Sequence, residues 1–140
     1  RSVPLLVFLY EPEVFVLDGD GSILMNAGGL TTMARYRPTN LIHIVFDNES
    51  LLSVGGFPTA TSTGSAIEGM SAAAGIPRTA TVRSLDDFSQ AVDDAIEARA
   101  MTTIVAKVEA VGPKAFLTDL PLLENRFQFA RHLRGIGNRQ

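Results

Sequence analysis

Short runs of continuous apolar residues, separated by stretches with helical spacing, constrain this chain more than any other feature. Val14-Phe15-Val16-Leu17 ends in Asp18-Gly19-Asp20-Gly21, and Leu41-Ile42-His43-Ile44-Val45-Phe46 ends in Asp47-Asn48. Thr103-Ile104-Val105-Ala106-Lys107-Val108 is a third run, and Thr79 to Val82 is a candidate fourth. Strands buried on both faces of a parallel sheet look like this, because helices cover both of their sides. Strand alternating with helix predicts an α/β layer fold with a mostly parallel sheet.

Helical patterns fill the intervals. Ser84 can cap a helix through Asp87, a variant of the capping box, and Leu85, Phe88, Val92 and Ile96 then fall on one face. Ser65 to Ala74 is Ala-rich, carries Ile67 and Met70 on one side and stops at Gly75-Ile76-Pro77. Asn26 to Tyr36 is expected to be helical, weakened by Gly28-Gly29. In a last helix after Asp119 and Pro121, Leu123, Phe127 and Ala130 make an apolar stripe. No internal repeat or low-complexity linker interrupts the pattern.

The 140 residues suit one compact domain and leave no room for two. With 46% hydrophobic and 19% charged residues, the chain can bury a core and is too poor in charge for disorder. A net charge of −3 argues against a dedicated nucleic-acid binder, which needs clustered positive charge. Without cysteine there is no disulfide framework or thiolate metal site, which fits a reducing cytoplasm. No run approaches the roughly 20 apolar residues that span a bilayer. Val3 to Tyr10 reads as a buried strand rather than a signal peptide, since no small-residue cleavage site follows it. The chain starts without Met, so Arg1 is not expected to be the native first residue.

Both polar clusters lie at the carboxyl ends of predicted strands, where ligands bind in parallel α/β folds. In Gly19-Asp20-Gly21-Ser22 the glycines let the backbone approach an anion with exposed N–H groups, and the following helix adds its positive end. Asp20 is placed for a hard cation, although Gly and Asp also favour plain turns. Asn48 comes 28 positions after Asp20, close to the span of one strand–helix–strand unit, so the two side chains can end side by side. With the Ser50 carbonyl they make half of an octahedral Mg²⁺ shell, a diphosphate and water supplying the rest.

Gly19-Asp20-Gly21-Ser22, Met25, Thr32, Arg35, Asn40-Leu41 and Asp47-Asn48 together resemble the cofactor-binding half of the thiamine-diphosphate-dependent enzymes. The resemblance runs from about Val14 through Thr59 and more loosely to Val108. It implies a three-layer, doubly wound sheet with helices on both faces. It also implies that Asp20, Asn48 and the Ser50 carbonyl hold Mg²⁺ while Gly19, Gly21 and Ser22 meet the diphosphate. Asp47-Asn48-Glu49 and Ser53-Val54-Gly55-Gly56-Phe57-Pro58-Thr59 are similar to the β subunits of sulfopyruvate and phosphonopyruvate decarboxylases. Those relatives tend to read S-T-G-G-Q-P-T, so Val54 and Phe57 replace two polar residues, and an aromatic residue near Leu51 is missing.

In this family the coenzyme lies between two domains, and a pyrimidine-binding partner supplies the glutamate that protonates the aminopyrimidine ring. The chain is too short for both domains, so the resemblance implies a separate α-type subunit, a small 2-oxo-acid substrate and an oligomer of at least two such units. A Gly-Ser-Met-Gly-like loop normally precedes the Gly-Asp-Gly strand. Here only Arg1 to Pro12 do, without a glycine, and a stretch is expected to be absent between Val3–Phe8 and Leu9–Glu13.

Two other classes fit part of the pattern. Asp18-Gly19-Asp20-Gly21 also matches the D-x-D-G of a haloacid-dehalogenase-like phosphatase, with Asp18 attacking phosphate. That chemistry needs a lysine and a later acidic pair at strand ends, and the chain offers only Lys107, Lys114 and acidic pairs inside a helix pattern. A non-catalytic subunit that retains the fold is the other. Elsewhere, His43 reads as core or surface filling, and Met25 and Met33 as packing. His132 among Arg126, Arg131 and Arg134 reads as a solvated face or subunit contact. Glu49 is either a turn residue or a support for the metal amide, and Thr59 to Ser65 either a mobile lid or a surface loop.

Overall fold

The structure, a computed structural model, describes residues 12–112 and 122–137. Four parallel strands make its sheet: β1 (Val14–Gly19), β2 (Leu41–Asp47), β5 (Arg78–Val82) and β6 (Thr102–Lys107). Their order is β1-β2-β6-β5. A small antiparallel hairpin, β3 (Ser50–Leu51) with β4 (Phe57–Pro58), follows β2. The helices are α1 (Asp20–Met25), α2 (Gly28–Tyr36), α3 (Ile67–Ala74), α4 (Leu85–Ala98) and α5 (Leu122–Gly137), with short 3₁₀ turns at Leu52–Val54 and Ala60–Thr63.

Period-two alternation sorts each strand onto two apolar faces. Leu41 and Val45 of β2 join Met101 and Val105 under Ile23, Leu30, Ala34 and Ile67 from α1, α2 and α3. Ile42 and Ile44 join Ile104, Ala106 and Val82 under Phe88, Ala91, Val92 and Ala95 of α4. Helices therefore cover both faces, which is the expected three-layer, doubly wound arrangement. Buried on both sides, β2 and β6 needed near-continuous apolar sequence, and that is why they were legible.

Several details depart from the sequence reading. A helix starts at Asp20, directly on the end of β1, and breaks at Asn26-Ala27 before α2 begins. On α4 the buried side is Phe88, Ala91, Val92 and Ala95, while Leu85 is 80% exposed and Ile96 lies partly in solvent. Leu85 is the first residue of the helix. Ser84 does cap α4, accepting the Asp87 N–H at 3.1 Å. Leu123 and Phe127 of the α5 stripe are exposed. Val3–Tyr10, Asp119 and Pro121 lie outside the described residues.

Candidate functional site

Parallel pairing fixes which polar residues meet. Gly19 lies opposite Phe46 on β2, and Asp47 opposite Lys107 on β6. The carboxyl ends of three adjacent strands thus bring Asp20, Asp47-Asn48 and Lys107 to one edge of the sheet. A shallow cleft lined by Pro12, Glu13, Asn40, Ile96 and Arg99 lies at the opposite, amino-terminal end and holds none of them.

Asp20, 2% exposed, is the first residue of α1. Its Oδ2 takes hydroxyls from Thr59 and from Thr61, the latter at 3.2 Å. Thr61 also donates to Asp47 Oδ1 at 2.8 Å, and the two threonine oxygens are 2.8 Å apart. Each hydroxyl has one proton, so the pair serves two acceptors at a time: the shortest contacts assign Thr59 to Asp20 and Thr61 to Asp47. Two buried carboxylates therefore flank one threonine.

Their charges are met differently. Asp47, also 2% exposed, is 2.7 Å from Lys107 Nζ through Oδ2. The same ammonium reaches Glu49 Oε1 at 2.7 Å. Burial works to lower the Lys107 pKa, but hydrogen bonds and charge from Asp47 and Glu49 outweigh it and hold the group above its usual range. Among the described residues no lysine, arginine or histidine pairs with Asp20. A buried carboxylate held only by neutral hydroxyls calls for a cation.

Asn48 sits in a tight turn. Its Oδ1 accepts the Ser50 N–H at 2.9 Å, and the next residue, Glu49, adopts a left-handed φ of 59°. Ser50 lies opposite Pro58, which has no N–H to offer, so the Ser50 carbonyl takes nothing from the residue facing it. Among the described residues no group of three His, Cys, Asp or Glu converges. Asp20, Asn48 and the Ser50 carbonyl offer a carboxylate, an amide and a carbonyl, hard oxygen donors of the kind that could hold Mg²⁺ together with phosphate and water.

The glycines divide in role. A Cβ on Gly21 would lie 2.1 Å from Leu51 Cδ2, so α1 and the β3–β4 hairpin touch because Gly21 has no side chain. A Cβ on Gly19 would meet nothing within 4 Å, leaving open space over its backbone. Ser22 is exposed on α1. That helix has only six residues, so successive N–H groups, rather than a long helix dipole, are what it offers an anion.

Residues 6–106 match the family of the thiamine pyrophosphate enzyme C-terminal TPP binding domain. The chain belongs to the thiamine pyrophosphate enzymes. It is 32% identical over 119 residues to sulfopyruvate decarboxylase subunit beta of Methanocaldococcus jannaschii, covering 85% of this chain and 63% of that protein. It is 41% identical over 96 residues to phosphonopyruvate decarboxylase of Streptomyces viridochromogenes, covering 68% of this chain and 24% of that one. It thus spans less than two thirds of either relative. A crystal structure from Mycobacterium smegmatis, assigned to the thiamin diphosphate-dependent enzymes, superposes with a TM-score of 0.61 at 26% identity, over 71% of this chain and 18% of that one.

Family membership displaces the phosphatase alternative. Asp18 Oδ1 accepts the Gly19 N–H at 2.9 Å and its Oδ2 lies 3.7 Å from His43 Nε2. Sequence reasoning singled out Asp20, Asn48 and Ser50 but gave no place here to Thr59, Thr61 and Lys107, which hydrogen-bond to Asp20 and Asp47. Thr59 and Thr61 are buried against Asp20, so this part of the segment is neither a lid nor a surface loop. The hydroxyl-rich run Thr59-Ala60-Thr61-Ser62-Thr63 just after the hairpin was the available signal, as was a lysine at the tip of a predicted strand.

Proposed function

We propose that this chain is the thiamine-diphosphate- and Mg²⁺-binding subunit of a 2-oxo-acid decarboxylase, a carboxy-lyase of the sulfopyruvate/phosphonopyruvate type. On this reading the 140 residues act as one coenzyme-binding unit and work with a separate pyrimidine-binding subunit, in the cytoplasm and in an oligomer. Among the described residues no helix is long and apolar enough to cross a membrane.

The observation that carries the reading is Asp20, a buried carboxylate with no cationic side chain beside it among the described residues, tied through Thr61 to the strand end that precedes Asn48. Asp20, Asn48 and the Ser50 carbonyl would hold Mg²⁺, and the backbone of Gly19, Gly21 and Ser22 would face the diphosphate. When bound, the coenzyme supplies the electron sink for loss of CO₂ from the 2-oxo acid. This chain's own residues anchor the diphosphate end, and the proton chemistry on the aminopyrimidine falls to the partner. The names of the two relatives support the substrate class; Val54 and Phe57, both exposed on the hairpin, make this rim more apolar than the S-T-G-G-Q-P-T pattern.

Isothermal titration with thiamine diphosphate and Mg²⁺, on the chain alone and with the pyrimidine-binding subunit, tests the proposal. Asp20→Ala should weaken binding by more than about a hundredfold, exceeding the 10–100-fold typical of residues that only support metal ligands. Equal binding by both proteins overturns the reading.

A further inference from the structure

We propose that Lys107 is a positioning residue for both metal-ligating side chains, acting on Asn48 through Asp47 and Glu49 and on Asp20 through Asp47 and Thr61. The inference rests on the reading of Asp20 and Asn48 as the Mg²⁺ ligands and adds three residues to it.

The geometry is specific. One ammonium at the tip of β6 contacts Asp47 Oδ2 and Glu49 Oε1, each at 2.7 Å, and these residues stand immediately before and after Asn48. The turn between them has an unfavourable backbone, with Glu49 at φ 59°. It is closed further by the Glu49 N–H on Asp47 Oδ1 at 3.2 Å. Lys107 thus pins both sides of the turn that presents the amide. From Asp47 the chain of contacts continues through Thr61, at 2.8 Å, to Asp20 Oδ2 at 3.2 Å, where Thr59 adds its hydroxyl. Thr59 donates to that oxygen and Thr61, its proton on Asp47, lies against it, so among the described residues neither threonine engages the other oxygen of Asp20, Oδ1, which on this reading faces the cation. Lys107 also balances Asp47, which lets a second buried carboxylate lie one hydroxyl away from Asp20 without the two repelling the loop open. Without the ammonium, Asp47 is an uncompensated buried charge and both contacts on the turn are lost.

Mn²⁺ in the presence of thiamine diphosphate, followed by the electron paramagnetic resonance of the free ion, gives the test on the full chain. Lys107→Met and Thr61→Val should each weaken Mn²⁺ binding about 10- to 100-fold, the range for residues that orient metal ligands. Thr61→Ser, which keeps the hydroxyl, should bind within about threefold of wild type. Lys107→Met with Thr61→Val should lose less than the product of the two single losses, because both lie on one chain of contacts. Asp20→Ala is the separate control on the metal site. If Asp20→Ala abolishes binding while Lys107→Met and Thr61→Val bind as wild type, the positioning role fails and the metal site stands. If Asp20→Ala also binds as wild type, the metal site itself fails. Equal weakening by Thr61→Ser and Thr61→Val overturns the role of the hydroxyl. Should Thr61→Val not fold, Lys107→Met against Lys107→Arg decides: a loss in Met without recovery in Arg overturns the role of the charge.

Discussion

His43 occupies a position on β2 where its neighbours Leu41 and Val45 are core hydrocarbons, and it is 1% exposed. Its Nε2 lies 3.7 Å from Asp18, and its Nδ1 has no partner among the described residues. Burial pushes the imidazole below its usual range, against the opposing pull of Asp18, so His43 is neutral at pH 7. The unfolded chain takes up a proton near pH 6.5 that the folded chain resists. Stability is therefore full above about pH 6.5 and falls as the pH drops from there toward the folded value, with a slope of at most about 1.4 kcal/mol per pH unit for one proton. Denaturant titrations of wild type and His43→Leu between pH 7.5 and pH 5 should diverge below about pH 6.5, the variant showing the shallower loss. Parallel curves would mean that His43 titrates alike in both states. The sequence left this residue as core or surface filling, and the structure decides for the core. The pairing with Asp18 was not legible, since it depends on β1 lying beside β2 in register.

The junction between β1 and α1 shows which parts of an element local sequence can specify. The strand was readable from four apolar residues, but the helix starting at Asp20 was not, because Gly-Asp-Gly favours turns and gives no apolar period of its own. Likewise α4 was readable from its capping serine and its spacing, whereas the end of its buried stripe depends on how far the sheet reaches. Within the junction the two glycines have separable duties. Gly19 is extended, with φ −109° and ψ 156°, and open space lies above it, so Gly19→Ala should leave the melting temperature of the ligand-free protein unchanged. If a diphosphate lies against that backbone, the same methyl group should cost about tenfold in coenzyme affinity, or roughly 1.4 kcal/mol. Gly21→Ala forces Leu51 aside, displaces the hairpin that carries Ser50, and should lower both stability and affinity. Thermal melts paired with calorimetric titration distinguish the two. Gly19→Ala binding with wild-type affinity would place the diphosphate elsewhere.

For the whole molecule, the decisive fact is the strand order. Asp20 and Asn48 follow consecutive strands, and the length of one strand–helix–strand unit was enough to predict that those strands lie side by side. Lys107 comes from β6, which the chain reaches only after passing through β5, and no local pattern says that β6 inserts beside β2. Thr61 comes from a 3₁₀ turn whose place is set by the hairpin resting on Gly21. The same order leaves β1 at the edge of the described sheet, with Phe15 and Leu17 exposed on the face that α4 covers only farther along. The candidate site thus draws on three strand ends and a hairpin, so a ligand there would bridge segments far apart in the sequence. A ligand that binds only this folded arrangement stabilises it by about 2.7 kcal/mol when present at a hundred times its dissociation constant. For a chain of this length that corresponds to a rise in melting temperature of roughly 8–10 °C. Thiamine diphosphate with Mg²⁺ should produce that shift in wild type, and excess chelator should reverse it. Asp20→Ala should show no shift at the same concentrations, although its ligand-free melting temperature can differ either way once a buried charge has been removed. A shift of wild-type size in Asp20→Ala, or one that survives removal of Mg²⁺, would separate coenzyme binding from the paired strand tips.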